Sequence, residues 1–333
     1  MSRIVAAVGS FYYYEYFDKA YLYQVFFYFA MYSMFFFIRK KKFSLKRIPI
    51  GNIERGFIFT LLLCIYPIAY PAIFGSGSER FGGGGSLLVI LNAIMLMSRR
   101  ERLGIVDYAC MALNIYALLA GERADTILIV FLYYITLNRK GYIVERDISV
   151  FKLSFLLFAI MFIGLFSGIN RMGGQVSIEY FTYYLFNQGT AIDVLHVYLS
   201  SLWYVNAVGF SYEPILNFIF SFIPLNPLGG ASSDLNVTQI LRSHIPNVGG
   251  GLFYTIGLVT GGFIGGLISV LGYSAFIVKM FTGSDVLKIL FISLFIQQLR
   301  LQWYGLTYMG NVISVGVCII LCIYFIRYVS GRT

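Results

Sequence analysis

The sequence predicts an all-α polytopic membrane protein, and two observations carry this prediction. Of the 333 residues, 59% are hydrophobic and 12% are charged, whereas soluble domains contain about 25% charged residues. The apolar residues form long runs that end at short basic clusters, such as Arg39 to Lys42, as bilayer-spanning helices of about 20 residues do. We therefore expect residues 1–333 to form one integral-membrane domain with about nine to eleven transmembrane helices.

Six predicted spans lie in residues 1–169 and three lie in residues 252–333. In chain order they cover approximately residues 20–38, 56–74, 86–98, 103–120, 124–137, 150–169, 252–278, 286–299 and 311–327. Glycines recur in the seventh span, at Gly257, Gly261 and Gly265. Small residues at this spacing indicate close helix packing first and a functional role second.

The residues between the sixth and seventh spans, 170–251, form one large loop. Within it, residues 191–223 are apolar enough for two further spans. Asp193 and His196 lie in that stretch, and buried ionisable groups are costly in a bilayer. Amphipathic helices that lie at the interface or re-enter the membrane are therefore favoured there.

The basic residues set the orientation. Seven of the 25 Lys and Arg residues fall on the side of the large loop: Arg3, Lys19, Arg80, Arg123, Arg171, Arg242 and Arg300. The other 18 fall on the opposite side, which the positive-inside rule makes cytoplasmic. The large loop is therefore expected to be extracytoplasmic. Six of the seven cations on the outer side are arginines, and the planar guanidinium of arginine binds phosphate or carboxylate through two hydrogen bonds.

Two outer arginines lie at the ends of predicted helices. Arg123 follows a tight turn and begins a short apolar helix, where the helix N-terminus also favours anions. The alternative is an Arg123 that pairs with Glu122 or Asp125 and reaches outward to solvent. Arg171 opens the large loop, just before two glycines that permit close approach of a ligand or simply terminate the helix.

A third outer arginine, Arg80, precedes four glycines. It is kept as a candidate substrate contact. A solvated salt bridge with Glu79 is the simpler interpretation of its position.

The end of the large loop combines a cation, an imidazole and a glycine run. Arg242, His244 and Asn247 precede Gly249 and Gly250, directly before the seventh span. Amides of a glycine-rich turn can bind phosphate oxygens, and a histidine can act as acid or base. A lone loop histidine is more often structural, but the whole group predicts a corner that binds a diphosphate.

No cofactor or metal is expected. The outer carboxylates are dispersed, and the two histidines lack a zinc-binding spacing. The four cysteines lie inside apolar segments, which does not fit a disulfide framework. Nucleotide fingerprints and a nucleophile elbow are missing from the sequence, and the net charge of +10 is explained by orientation rather than by nucleic-acid binding.

Three features resemble the bacterial oligosaccharide repeat-unit polymerases of the Wzy-type O-antigen polymerase family. They are the tight turn with Arg123, the position of Arg171 after the sixth span, and the loop exit from Pro246 to Tyr254 that continues into Gly257. With the overall topology, the resemblance covers nearly the whole chain. It implies a metal-independent glycosyltransferase of the GT-C type in the bacterial inner membrane, with its active site facing the periplasm.

The resemblance also implies roles for individual residues. The enzyme would transfer a growing glycan from undecaprenyl diphosphate onto another lipid-linked repeat unit in lipopolysaccharide biosynthesis. Arg123, Arg171 and Arg242 would hold the diphosphate and stabilise it as a leaving group. His244, or a carboxylate such as Glu179 or Asp193, would position or deprotonate the acceptor hydroxyl. Membrane lipids, a chain-length regulator protein and a flippase would be its partners.

Two alternatives remain open. An O-antigen ligase has the same architecture and transfers the glycan to the lipid A core. A non-enzymatic flippase or transporter of lipid-linked oligosaccharide would have charged residues along a central pathway and internal repeats. The sequence has no evident repeat, and its polar residues concentrate on one side of the membrane, so the polymerase is preferred.

Overall fold

The computed structural model describes part of the chain, and this part is all-helical. Over it the protein has 83% helix and no strands, which confirms the all-α prediction. The described residues are 14–36, 50–70, 84–98, 104–120, 122–137, 189–223, 235–247, 250–298, 300–301 and 305–329, with isolated positions between 155 and 179.

Eleven helices are defined in this part of the chain. They are α1 (Tyr14–Phe36), α2 (Asn52–Ala69), α3 (Gly84–Met97), α4 (Ile105–Leu119), α5 (Arg123–Leu137), α6 (Gly189–Ala207), α7 (Glu213–Phe220), α8 (Val237–Arg242), α9 (Thr255–Thr282), α10 (Asp285–Ile296) and α11 (Thr307–Val329). Helices α6, α7 and α8 lie in the predicted large loop, which is therefore largely helical over its described residues.

Two described helices are long and apolar enough to cross a membrane, at Thr255–Thr282 and Thr307–Phe325. Shorter apolar helices cover Gly85–Met97, Ile105–Leu119 and Leu287–Ile296. Two such helices support association with a membrane only weakly. The count of nine to eleven spans stays a prediction, and most of the predicted span 150–169 lies outside the described residues.

The chain divides into two compact units, each built from separated stretches. The first comprises Met1–Lys41, Asn187–Thr282 and Gln298–Ser314. The second comprises Lys42–Phe186, Gly283–Gln297 and Val315–Thr333. The predicted succession of six spans, loop and three spans stays a prediction.

In the first unit, α9 is not one continuous helix but a helical hairpin. Its backbone leaves helical geometry at Gly261 and Gly262, and Gly262 has a φ of 59°, which favours glycine. The arms, residues 255–260 and 263–282, then run side by side. A Cβ added to Gly257 would meet the carbonyl oxygen of Gly265, and one on Gly266 would meet Leu258. The predicted seventh span, 252–278, is thus interrupted at these two glycines, while the second arm keeps the length that a span needs. Its glycines pack one arm against the other.

An aromatic cluster fixes the start of α9 against α1 and α6. The ring of Tyr254 lies 4.8 Å from that of Phe27 and 5.5 Å from that of Tyr198. The Tyr198 hydroxyl donates to the carbonyl oxygen of Ala20 at 2.8 Å. Burial raises the pKa of Tyr198 well above the usual value for tyrosine. Tyr198 therefore stays neutral and acts as a packing group.

The second unit is organised around α3. From Leu88 to Met97 every residue of this helix is at most 2% exposed, because α2, α5 and α10 pack around it. Within this core the Asn92 side-chain oxygen accepts hydrogen bonds from Asn114 at 2.9 Å and from Tyr133 at 3.4 Å. These bonds satisfy polar groups that would otherwise be costly to bury.

A buried ion pair links α2 to α4 in the same unit. Arg55 donates to Asp107 at 2.5 Å, with side chains 7% and 4% exposed. The second carboxylate oxygen of Asp107 accepts from the Gly104 amide at 3.0 Å and so caps α4. The pair joins residues 52 positions apart and sets the relative position of the two helices.

Candidate functional site

The predicted corner at the end of the large loop is a compact turn after α8. The amides of His244 and Ile245 both donate to the carbonyl oxygen of Leu241, at 3.0 and 2.7 Å. The Asn247 side-chain amide then donates back to the carbonyls of Thr238, at 3.0 Å, and Ile245, at 3.3 Å. Asn247 is 6% exposed. Asn247 was predicted as a substrate contact. In the structure its side-chain amide forms these two hydrogen bonds and stabilises the turn.

Arg242 lies on the exposed side of this turn. Its Nε donates to the carbonyl oxygen of Asn247, and its Nη1 donates to the side-chain oxygen of Gln239, each at 3.2 Å. Both acceptors are neutral, and no carboxylate of a described residue forms an ion pair with Arg242. The two hydrogen bonds hold the guanidinium in place, and these neighbours do not neutralise its charge. Such a group is suited to bind an anion.

His244 packs its exposed ring on α6. The ring centroid lies 5.4 Å from that of Tyr204, in an edge-on arrangement, and 6.4 Å from that of Trp203. It lies two positions after Arg242, and the same turn carries both. An imidazole in this position can donate to an anion or accept a proton from a hydroxyl.

A second histidine, His196, attaches the turn to α6. Its Nε2 lies 3.0 Å from the carbonyl oxygen of Pro246, and since a carbonyl can only accept, Nε2 carries the proton. His196 is 6% exposed. The sequence predicts an amphipathic setting for His196 but no role in the site, because its contact with Pro246 joins residues 50 positions apart.

Glycines connect the turn to α9. Gly250 and Gly251 have φ values of 92° and 149°, and residues other than glycine rarely adopt such values. A Cβ on Gly251 would meet Val197 at 3.2 Å and Thr255 at 3.3 Å. The backbone of this segment therefore passes close to α6 on its way into the hairpin.

The other predicted site residues divide between the two units or fall outside the described residues. Arg123 begins α5 in the second unit, as predicted, and Glu179 is exposed there. Asp193 belongs to α6 in the first unit. Arg80, Arg171 and Gly249 lie outside the described residues. The corner itself thus unites Arg242, His244, Asn247 and Gly250.

At the start of α5, the hydroxyl of Thr126 donates to the carbonyl oxygen of Glu122, and Glu122 is 7% exposed. This end of the helix is closely packed. In the described part of the chain, no group of three His, Cys, Asp or Glu side chains could hold a metal ion.

No family model, curated protein or solved structure matches this chain. The resemblance to O-antigen polymerases accordingly rests on the residues quoted for it and stays a prediction.

Proposed function

We propose that this protein is an O-antigen or related polysaccharide polymerase of the bacterial inner membrane. It transfers a growing glycan from undecaprenyl diphosphate onto a second lipid-linked repeat unit at the periplasmic face. The observation that carries the proposal is the corner of Arg242 and His244, an exposed cation and an imidazole on one rigid turn beside apolar helices.

The reaction needs two kinds of group, and the corner can supply both. The acceptor hydroxyl attacks the anomeric carbon, and the bond from that carbon to the diphosphate oxygen breaks. Undecaprenyl diphosphate leaves with the bonding electrons, so negative charge develops on it and a guanidinium such as Arg242 stabilises it. The hydroxyl proton passes to a base, a role that His244 fits by position.

The rigidity of the turn supports this assignment. Arg242 is anchored by the Asn247 carbonyl, and the turn is anchored to α6 through His196. A cation that is already positioned loses little conformational freedom when the transition state forms, which favours catalysis.

The test is gel electrophoresis of surface glycan from a strain that lacks this protein and is complemented with variants. Arg242→Ala should remove long chains while single repeats still reach the surface, because loss of one stabilising donor lowers such rates by about 10²- to 10³-fold. Lys279→Ala is the matched control, since it removes an exposed cation from the same unit away from the corner. It should retain full-length glycan.

Other patterns on the same gel would contradict the polymerase. Single repeats trapped inside the deletion strain would identify a flippase. Long polymer that stays on undecaprenyl diphosphate would identify a ligase. Normal long chains in the Arg242→Ala strain would remove the corner from the mechanism.

A further inference from the structure

A cavity of about 710 Å³ lies within the first unit, between α7 and the α9 hairpin. Both arms contribute to its lining, with Ile256 and Thr260 from the first arm and residues 264–276 from the second. Helix α7 forms the opposite wall through side chains such as Phe218 and Phe222. The volume falls in the range of ligand-binding cavities.

Two hydroxyl groups of the lining, those of Thr260 and Tyr273, are engaged within the protein. The Thr260 hydroxyl donates to the carbonyl oxygen of Ile256 at 2.8 Å, and the Tyr273 hydroxyl donates to Gln298 at 2.6 Å. The remaining lining is mainly isoleucine, phenylalanine and glycine. A ligand that fits this cavity is therefore apolar, because a polar group would lose its hydrogen bonds to water there.

The shape selects a long, thin ligand. Lining residues of the second arm run from Ile264 to Phe276, which is roughly 18 Å of helix. Gly265 and Gly272 add no side chains at two positions of this wall, which leaves room for a ligand in the groove. Its rim carries Ile264 and Ile268, which are 69% and 64% exposed, and such a rim fits a lipid environment better than water.

The groove adjoins the corner along the chain. Ile256 in its lining follows Gly251 by five residues, and the ring of Phe253 lies 5.0 Å from that of Tyr273. Because the arms are antiparallel, the first arm leads away from the corner, and the second arm returns toward it beside the groove. This arrangement suits a molecule with an anionic group at Arg242 and a hydrocarbon chain in the groove.

We propose that this groove holds the isoprenoid chain of the lipid-linked substrate while the corner holds its diphosphate. This inference rests on the proposed function and adds the binding mode of the lipid. The groove suits the isoprenoid chain because this chain is the apolar part of the substrate. The glycan and the diphosphate are polar and belong outside the groove.

The test uses the purified full-length protein in phospholipid nanodiscs. The probe is undecaprenyl diphosphate with a photoreactive diazirine in its isoprenoid chain. After irradiation, mass spectrometry should place the label on peptides that contain residues 215–222 and 264–276. Unlabelled undecaprenyl diphosphate should compete, whereas phosphatidylethanolamine with a diazirine in an acyl chain should not give the same pattern.

One variant fills the groove without disturbing the fold. A Cβ at Gly272 meets nothing within 4 Å, so Gly272→Leu projects into the groove. Labelling should fall roughly tenfold, because the leucine side chain would displace about two methylene groups of the isoprenoid chain from the groove. Gly56→Leu is the matched control, because Gly56 is also an exposed helical glycine with open space around it but lies in the second unit. It should label like the parent protein.

A second variant, Ile219→Trp, narrows the groove from α7 and should also lower labelling. Equal labelling by the phospholipid probe, or label outside the groove, would overturn the inference. So would unchanged labelling in both groove variants. If label maps to the groove but the deletion strain still makes long glycan, the polymerase proposal fails while lipid binding stands.

Discussion

The hairpin in α9 makes a strong prediction for the Gly257→Ala substitution. The added methyl group would meet the backbone carbonyl of Gly265 and the hydroxyl of Ser269. A side chain could rotate away from such a contact. The Gly265 carbonyl is part of the backbone of the opposite arm, so it can move only if that arm moves. The arms must therefore separate, and the start of α9 must shift against the corner.

The size of the effect follows from two opposing contributions. Overpacking costs about 1–3 kcal/mol, and a rigid backbone neighbour places Gly257→Ala near the upper end. Replacing glycine by alanine inside a helix stabilises the folded state by about 1 kcal/mol. The net loss of folding free energy is about 2 kcal/mol. At Gly272 a Cβ meets nothing within 4 Å, so Gly272→Ala should gain up to about 1 kcal/mol.

The assay compares the denaturant midpoints of the purified protein and both variants in detergent, followed by tryptophan fluorescence and circular dichroism. Gly272→Ala adds the same methyl group to the same helix and is the matched control. The two variants should differ by about 3 kcal/mol, which is roughly a hundredfold in the ratio of folded to unfolded protein. Equal midpoints for the two variants would show that the arms do not touch.

Two further substitutions test contacts between distant parts of the sequence. Arg55→Ala leaves Asp107 buried and unpaired, so it should destabilise the protein by about 3–5 kcal/mol. The denaturant midpoint measures this loss, and Arg55→Ala together with Asp107→Asn should recover part of it. His196→Ala removes the hydrogen bond to Pro246 and should loosen the turn that holds His244. We expect faster proteolysis near residue 245 and shorter glycan chains, and an unchanged cleavage pattern would refute this anchoring role.

The hydropathy pattern predicted the positions of several helices well. The predicted span 20–38 corresponds to α1, and the helix predicted at 124–137 corresponds to α5. This succeeds because an apolar run in a membrane-like sequence satisfies its backbone best as a helix. The ends shift by several residues, since helix ends depend on local capping rather than on hydropathy.

The tertiary features were less predictable. The glycines of the seventh span indicated close packing, but periodicity alone does not reveal that Gly261 and Gly262 reverse the chain so that Gly257 meets Gly265. The corner around Arg242 and His244 was predicted as a group because its residues are adjacent in sequence. Its attachments to the rest of the fold depend on residues far away in the chain.

The central claim is that the chain itself lengthens lipid-linked glycan. Its most direct test incubates the purified full-length protein in proteoliposomes with an undecaprenyl-diphosphate-linked repeat unit. We predict a ladder of longer lipid-linked products, accompanied by release of undecaprenyl diphosphate, and a loss of both with Arg242→Ala. A substrate that stays at one repeat unit with the parent protein, under conditions where an established polymerase extends it, would contradict the claim.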